Sequence, residues 1–400
     1  MKNTATDAVG PWGHALLLSL AAAVSLGITR FAYGLLLPPM REALGWSYTL
    51  AGAMNTANAL GYLLGALLMP RLLPIKGPAP VLIVGVVLAS VFMALSGFFP
   101  SAEMLLLQRL LAGMASALVF VTGGLLAAGL AQQHPQQGGW LIGLYYGGTG
   151  WGIALSALLV PWVLNTPEDW PQAWWALALA CVVATGLMWQ TIWKLGHSHV
   201  HRATSQAAVS SRFRVSDWVF GLAGYGCFGI GYIGYMTFVI ALLREQGASG
   251  QVVTIFYTVL GLAVVASARL WARLLDRFKG GQALAVLNAL LALATVIPAG
   301  AAPPWALGLS GVLFGSVFLS VVASTTAMVR HNLPVQEWAS GISAFTIVFA
   351  LGQIIGPTLV GWVADGPGGL PRGLGCSAAV LLLGAVLAWR QRPLTGVATP

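Results

Sequence analysis

Long apolar runs alternate with short polar breaks along the whole chain. Twelve runs of about 20 residues fall at 13–38, 47–69, 79–99, 103–130, 138–163, 173–194, 216–243, 251–271, 282–300, 304–329, 338–363 and 374–391. Each is long enough for a helix to cross a hydrocarbon layer ~30 Å thick. Pro, Gly and charged clusters punctuate them, as at LLPIKGPAP (72–80) and HPQQGG (134–139). The pattern predicts an all-α membrane protein of twelve transmembrane helices, with no polar stretch long enough for a large soluble domain. An even number of crossings puts both termini on one side.

The longest polar stretch, KLGHSHVHRATSQAAVSSRFRVSD (194–217), divides the runs six and six. The expected organisation is an N-terminal six-helix bundle over 1–194, a cytoplasmic linker over 195–215 and a C-terminal six-helix bundle over 216–400. The halves look like repeats: MREALG (40–45) follows run one and LREQGA (243–248) follows run seven, at an offset of 203 residues. Run five carries GLYYGGTGWG (143–152) and run eleven ALGQIIGPTLVG (350–361). A parallel duplication of six-helix units suits a transporter whose site lies between two rocking halves.

Composition agrees, with 58% hydrophobic and only 7% charged residues where soluble proteins carry about a quarter. Gly accounts for 50 of 400 residues, which suits helices that approach closely through small side chains in lipid. The net charge of +9 raises the question of a nucleic-acid partner, but the basic residues are spread over short loops. Fourteen of the 19 Lys and Arg, from Lys2 to Arg392, fall in the loop set that includes both termini. Three (Arg41, Arg244, Arg372) fall in the other set, and Arg30 and Arg109 lie inside runs. The bias predicts cytoplasmic termini. Cys181, Cys227 and Cys376 sit in apolar runs without C-x-x-C spacing and read as packing residues. The first run exceeds a signal-peptide core and no small-x-small cleavage site follows it, so it is expected to remain.

Twelve spans, a six-plus-six duplication and a basic central loop resemble the major facilitator superfamily along nearly the whole chain. The superfamily's loop motif G-x-x-x-D-R-x-G-R has a degenerate counterpart in ARLLDRFKGG (272–281), with Asp276 and Arg277 in register. The first-half loop, GALLMPRLLPIKG (65–77), has Met69 where the Asp belongs. The R-x-x-x-G of span four is present as Arg109 and Gly113, and the opening GITRFAYGLLLPPMREALGWS is similar to the start of the YbfB/YjiJ-like group of bacterial transporters. The resemblance implies a bacterial inner-membrane transporter working by alternating access, a central cavity lined by spans one and four, and a cytoplasmic gate at Asp276 and Arg277.

Arg30 stands out inside GITRFAYGLLLPPM (27–40). An arginine within a span costs a few kcal/mol, so it normally faces water or a partner. Arg30 lies seven residues before Leu37, about 10 Å from the outer end, and Arg109 six residues after Glu103, about 9 Å from the same side. Structural roles compete: Arg30 bonded to helix carbonyls or snorkelling outward, and Arg109 paired with Glu103. Two convergent guanidiniums nevertheless suit a carboxylate or another oxyanion. All ten acidic residues fall in loops or at span ends, so no carboxylate within the membrane neutralises Arg30. A small organic anion is the expected substrate.

Polar groups that can complete the site are Tyr33, one turn after Arg30; Asn55, Asn58 and Tyr62 on run two; Tyr145 and Tyr146 on run five; Tyr232 and Tyr235 on run seven; and Gln353 on run eleven. Each has helix packing as its ordinary alternative. GYGCFG (224–229) matches G-x-G-x-x-G but lacks a preceding strand, HSHVH (197–201) reads as solvated linker, and Ser316, Ser320 and Ser324 form a packing ridge. No nucleophile–base pair or metal-ligand cluster is placed within the membrane, so no enzyme activity, cofactor or metal is expected. The expected partners are the small-molecule anion and the lipid bilayer, with no nucleic acid and a monomeric unit. The rivals are a multidrug or metabolite exporter of the same fold, of which a cationic-drug pump would be expected to carry a carboxylate in its cavity, and a non-transporting membrane receptor or assembly factor, which would more naturally carry a soluble domain.

Overall fold

The computed structural model describes residues 10–199, 214–300, 303–334 and 337–394. Twelve long helices run through them: α1 Pro11–Leu44, α2 Tyr48–Lys76, α3 Pro78–Ser96, α4 Ala102–Gln133, α5 Gly138–Val163, α6 Trp170–His199, α7 Val219–Glu245, α8 Gly250–Leu270, α9 Gln282–Val296, α10 Pro304–Asn332, α11 Trp338–Asp365 and α12 Gly369–Trp389. Eleven qualify as membrane spans by length and hydropathy alone. The twelfth, α5, is 26 residues long and packs between α1 and α8. No strand occurs among the described residues.

Several ends shift from their expected places because backbone chemistry, not hydropathy, sets them. α1 runs through Pro38 and Pro39 and stops only at Gly45, whose φ of 66° few other residues adopt. Likewise α2 runs past its expected end at 69, through Pro70 and through Pro74 inside the expected break at 72–80, and ends at Gly77. Membrane helices tolerate such prolines when neighbouring groups satisfy the freed carbonyls.

The turn after α1 recurs after α7. Trp46 N–H donates to Arg41 O at 3.1 Å and Ala248 N–H to Leu243 O at 2.9 Å, the wide bond of a Schellman end. Ser47 and Ser249 then cap α2 and α8 by accepting from the Leu50 and Val252 amides. Trp46 therefore matches Ala248, an offset of 202 residues. The expected 203 is off by one, because it aligned Arg41 with Arg244 and not with Leu243.

Helix pairings also recur six helices apart: α2 on α4 and α8 on α10, α3 on α6 and α9 on α12, α1 on α5 and α7 on α11. The first six helices meet the last six where α5 packs on α8, α2 on α11 and α1 on α7. Close approach relies on absent side chains: a Cβ on Gly27 would lie 2.6 Å from Gly152 Cα. GYGCFG lies within α7, where Gly224 packs on Gly384 and Gly229 on Gly352. Ser320 Oγ donates to Ser267 O at 3.0 Å, tying α10 to α8, while Ser316 and Ser324 bond within their own helix. The side chains of HSHVH (197–201) lie outside the described residues. Trp151, Leu155, Leu158 and Trp162 form an exposed stripe along α5, turned away from its neighbours as a lipid-facing surface requires.

Candidate functional site

The site begins with an irregularity in α1. Ala23–Phe31 is wound as a π-helix, and Ala32 N–H reaches back five residues to Gly27 O at 3.1 Å. Such segments are rare and concentrate at functional sites. This one carries Thr29 and Arg30.

Arg109 on α4 closes on that segment. Its Nη1 donates to Thr29 O at 2.8 Å and its Nη2 to Asn55 Oδ1 at 3.4 Å. Asn55 Nδ2 continues across to Thr237 Oγ1 on α7 at 2.7 Å. The guanidinium lies 5.0 Å from the Tyr33 ring centroid and 5.4 Å from that of Trp174, and Tyr33 donates its hydroxyl to Ala51 O at 2.8 Å. Asn58 Nδ2 donates to the Arg109 carbonyl at 3.2 Å. Arg109 thus joins α1, α2, α4 and α6, and both terminal nitrogens are engaged. It does not pair with Glu103, which is exposed at the start of α4.

Arg30 is differently placed. It is 2% exposed, and its Nη2 donates to Gln353 Oε1 on α11 at 2.9 Å. The Gln353 amide donates in turn to the Tyr232 hydroxyl on α7. Nε of Arg30, like that of Arg109, is buried with no hydrogen-bond partner, but Arg30 also leaves Nη1 without a hydrogen bond; the Tyr62 ring centroid lies 5.8 Å from the guanidinium. Because α1 continues to Leu44, Arg30 sits 14 residues from that helix end, about 21 Å along the axis, whereas Arg109 sits seven residues from Ala102, about 10 Å. The expectation of similar depth gives way to two layers. Helical side chains also tilt toward their own N-terminus, which separates the guanidiniums further, since α1 and α4 run in opposite directions.

Beyond Arg30, toward the end of the bundle where the chain begins, come aromatic rings. On α2, Tyr62 lies seven residues from Asn55 and shares its face, while Asn58 turns to α4. Phe120 on α4 packs against Tyr62 at 6.5 Å and Tyr146 on α5 at 5.7 Å. On the facing helices, Phe349 stacks on Tyr232 at 5.6 Å and Phe228 at 5.3 Å. Arg30, Tyr232 and Gln353 are buried, whereas Tyr62, Phe120 and Phe349 are half-buried and Tyr146 is 40% exposed. Exposure thus rises along the seam toward the end of the bundle where α1 starts and α12 finishes.

At the opposite end it is tied shut. Asp365, at the end of α11, accepts from Tyr48 N–H at 2.7 Å, Thr49 N–H at 2.9 Å and the Thr49 hydroxyl at 2.6 Å at the start of α2. Tyr48 also donates its hydroxyl to Glu245 on α7, and Arg41 stacks on the Tyr48 ring at 3.8 Å. Thr56 donates to Ile354 O at 2.7 Å, and Tyr257 on α8 donates to Phe31 O at 2.7 Å.

Against this geometry, the family described as "Uncharacterised MFS-type transporter YbfB" matches residues 22–389. The chain belongs to that family. Relatives of this MFS-type transporter include the inner membrane transport protein YdhP of Escherichia coli K12, 26% identical over 93% of this chain and 92% of that protein. The cyanate transport protein CynX of the same organism is 27% identical over 54% of this chain and 55% of that one. Among solved structures, a bacterial homologue of the human lysosomal transporter Spinster, inward-facing and unoccupied, superposes with a TM-score of 0.69 at 13% identity, covering 95% of this chain and 96% of that one. The nucleoside transporter NupG (D323A) gives 0.70 at 13% identity, covering 95% and 99%.

Of the residues singled out in the sequence, the transporter's fold brings Arg30, Tyr232 and Gln353 into one bonded chain, while Tyr146 packs on Phe120, which in turn meets Tyr62. Tyr33, Asn55, Asn58 and Arg109 form the layer behind. Tyr145 is spent on packing: it is buried and donates to Phe120 O at 2.7 Å. Tyr235 shares a hydrogen bond with Ser310 at 2.8 Å and stacks on Phe314, within the α7–α10 interface and away from the arginines. Asp276 and Arg277 are exposed on a short helix, Ala272–Arg277, and neither side chain makes a hydrogen bond or ion pair among the described residues; Arg277 lies 5.7 Å from the Phe278 ring centroid. Sequence reasoning missed Thr237, Phe120, Phe349 and Asp365, none of which stands out by residue type. Tyr62 had a signal, since its spacing of seven from Asn55 places both on one helical face.

Proposed function

We propose that this transporter moves a small organic anion, bearing a carboxylate, across the bacterial inner membrane by alternating access, with Arg30 as the anion's principal partner. One observation carries the reading. Arg30 is buried at the seam with a single hydrogen bond, from Nη2, whereas Arg109 engages both terminal nitrogens, and no Asp or Glu is buried among the described residues. A substrate carboxylate meets that fork and supplies the counter-charge. Arg109 adds positive potential and holds the π-helical segment in place. The CynX relative is named for cyanate, itself a small anion, which supports the charge assignment.

With cytoplasmic termini, as the distribution of Lys and Arg favours, the cavity opens to the cytoplasm and Asp365 belongs to the closed outer gate. The six-helix bundles 1–194 and 216–400 rock about the site in a monomer, and Asp276 and Arg277 close the cytoplasmic end in the opposite state. Asp276→Asn then slows turnover more than it weakens binding; unchanged turnover with much poorer affinity contradicts that role.

A thermal-shift screen of the purified protein tests the substrate class, because specific binding stabilises the folded state by mass action. Mono- or dicarboxylates are expected to raise the melting temperature, while cationic dyes do not. Stabilisation by dyes with none by carboxylates overturns the reading in favour of a multidrug exporter.

A further inference from the structure

The rings around the Arg30 seam specify more than charge. Tyr62 on α2 lies 5.8 Å from the Arg30 guanidinium and packs on Phe120 of α4, which packs on Tyr146 of α5, while Phe349 of α11 stacks on Tyr232, the residue bonded to Arg30 through Gln353. Helical geometry shows that these faces look into the seam. On α5, Gly148 and Gly152 pack on α1 while Gly147 and Gly150 pack on α8, and Tyr146 projects between those two contacts. The exposed stripe from Trp151 to Trp162 occupies the other side of α5. On α11, Gly352 and Gly356 pack on α7 and Pro357 packs on α2; Phe349 and Gln353 lie between. On α2, Gly61 and Gly65 pack on α4, while exposed Leu60, Leu64 and Leu67 point away from the side that carries Asn55 and Tyr62.

The two walls differ in order. Behind Phe349, Tyr225, Phe228 and Tyr232 stack with interplanar angles of 22°, 9° and 19° to it. Three near-parallel neighbours hold that ring, so it offers a fixed platform. On the helices of the first half, Phe120 tilts 57° to Tyr62 and 52° to Tyr146, presenting edges as well as faces. A flat ring between a fixed face and tilted rings gains both offset-stacked and edge-to-face contacts.

We infer that the anion is an aryl carboxylate, its ring held between Phe349 and the Tyr62–Phe120–Tyr146 wall while its carboxylate meets Arg30. The inference rests on the anion reading above. No covalent step is involved. Purely aliphatic acids satisfy Arg30 but leave the rings without a planar partner, and neutral arenes satisfy the rings but leave the guanidinium unpaired.

Four probes separate the two ideas: benzoate, cyclohexanecarboxylate, acetate and benzamide, each titrated calorimetrically into the purified full-length protein. Benzoate is expected to bind about tenfold tighter than cyclohexanecarboxylate, which has similar bulk without a π face, and tighter again than acetate and benzamide. In Phe349→Leu and Tyr146→Leu, both at incompletely buried positions, the preference for benzoate over cyclohexanecarboxylate is expected to fall toward parity. Both are measured on protein whose thermal melt matches wild type; should one variant misfold, the other carries the test. Equal affinity for benzoate and cyclohexanecarboxylate in wild type, or an unchanged ratio in the folded variant, overturns the aryl assignment and leaves the anion reading standing. Benzamide binding as tightly as benzoate, or binding of none of the three carboxylates, overturns the anion reading itself and this inference with it.

Discussion

Arg30 and Arg109 look alike in sequence, each a lone guanidinium in an apolar run, and the fold gives them different work. Arg109 spends both terminal nitrogens on Thr29 O and Asn55 and lies between the rings of Tyr33 and Trp174. Arg109→Ala strands two buried acceptors and empties that space, so it is expected to cost about 2–5 kcal/mol of stability. A large fall in the melting temperature of detergent-purified protein is the expected readout; a wild-type melt contradicts the organising role. The existence of a buried cationic centre was legible, because an arginine far from a span end has few inexpensive alternatives. Which guanidinium keeps a terminal nitrogen unengaged was not: both leave Nε unpartnered, but only Arg30 leaves Nη1 without a hydrogen bond. That depends on the Thr29 carbonyl and on Gln353, which are 80 and 323 residues from their respective arginines. Phe120 and Phe349 carried no signal, since a phenylalanine in an apolar run has the same pattern whether it faces lipid, core or cavity.

Among elements, the twelve helices were legible because hydropathy over 20 residues is a strong signal. Their ends were less so. Gly45 and Gly77 stop helices that prolines do not, and this lengthening of α1 separates the two arginines into layers. The π-helical stretch of α1 was invisible to periodicity, which reports helix against strand and not the winding of one turn. Asp365 also escaped notice, because a carboxylate at a helix end ordinarily meets water. Here it holds the first residues of α2 with three hydrogen bonds, facing Tyr48, Glu245 and Arg41 at the same junction. Asp365→Asn keeps the shape but removes the charge and one acceptor, so the closed end is expected to loosen. Thr56→Cys, introduced with the three native cysteines replaced, reports this through labelling by a membrane-impermeant maleimide. The Asn variant should label several-fold faster than its Asp parent; equal rates contradict the tie.

For the whole molecule, the repeat was legible in outline, and the matching Gly-x-Ser turns after α1 and α7 fix its register. The location of the charges also bears on energy coupling. No acid is buried among the described residues, and Glu103 is exposed at the start of α4, so no side chain is an evident proton carrier at mid-membrane. Uniport, exchange or symport with the proton on the substrate carboxylate is expected, and in the last case changing the acidity of a substrate analogue shifts the pH profile. Proton flux driven by a substrate that cannot ionise, and lost in Glu103→Gln, contradicts this. The central claim is that Arg30 recognises the anion by its planar fork and not by charge alone, and uptake into proteoliposomes tests it most directly. Initial rates for the carboxylate giving the largest thermal shift are compared between wild type and Arg30→Lys, which keeps the charge and loses the fork. The account predicts active wild-type uptake and a loss of at least tenfold in the Lys variant at an unchanged melting temperature, in line with ~1.5–3 kcal/mol for a charge-assisted hydrogen bond. Near wild-type uptake by Arg30→Lys would contradict it.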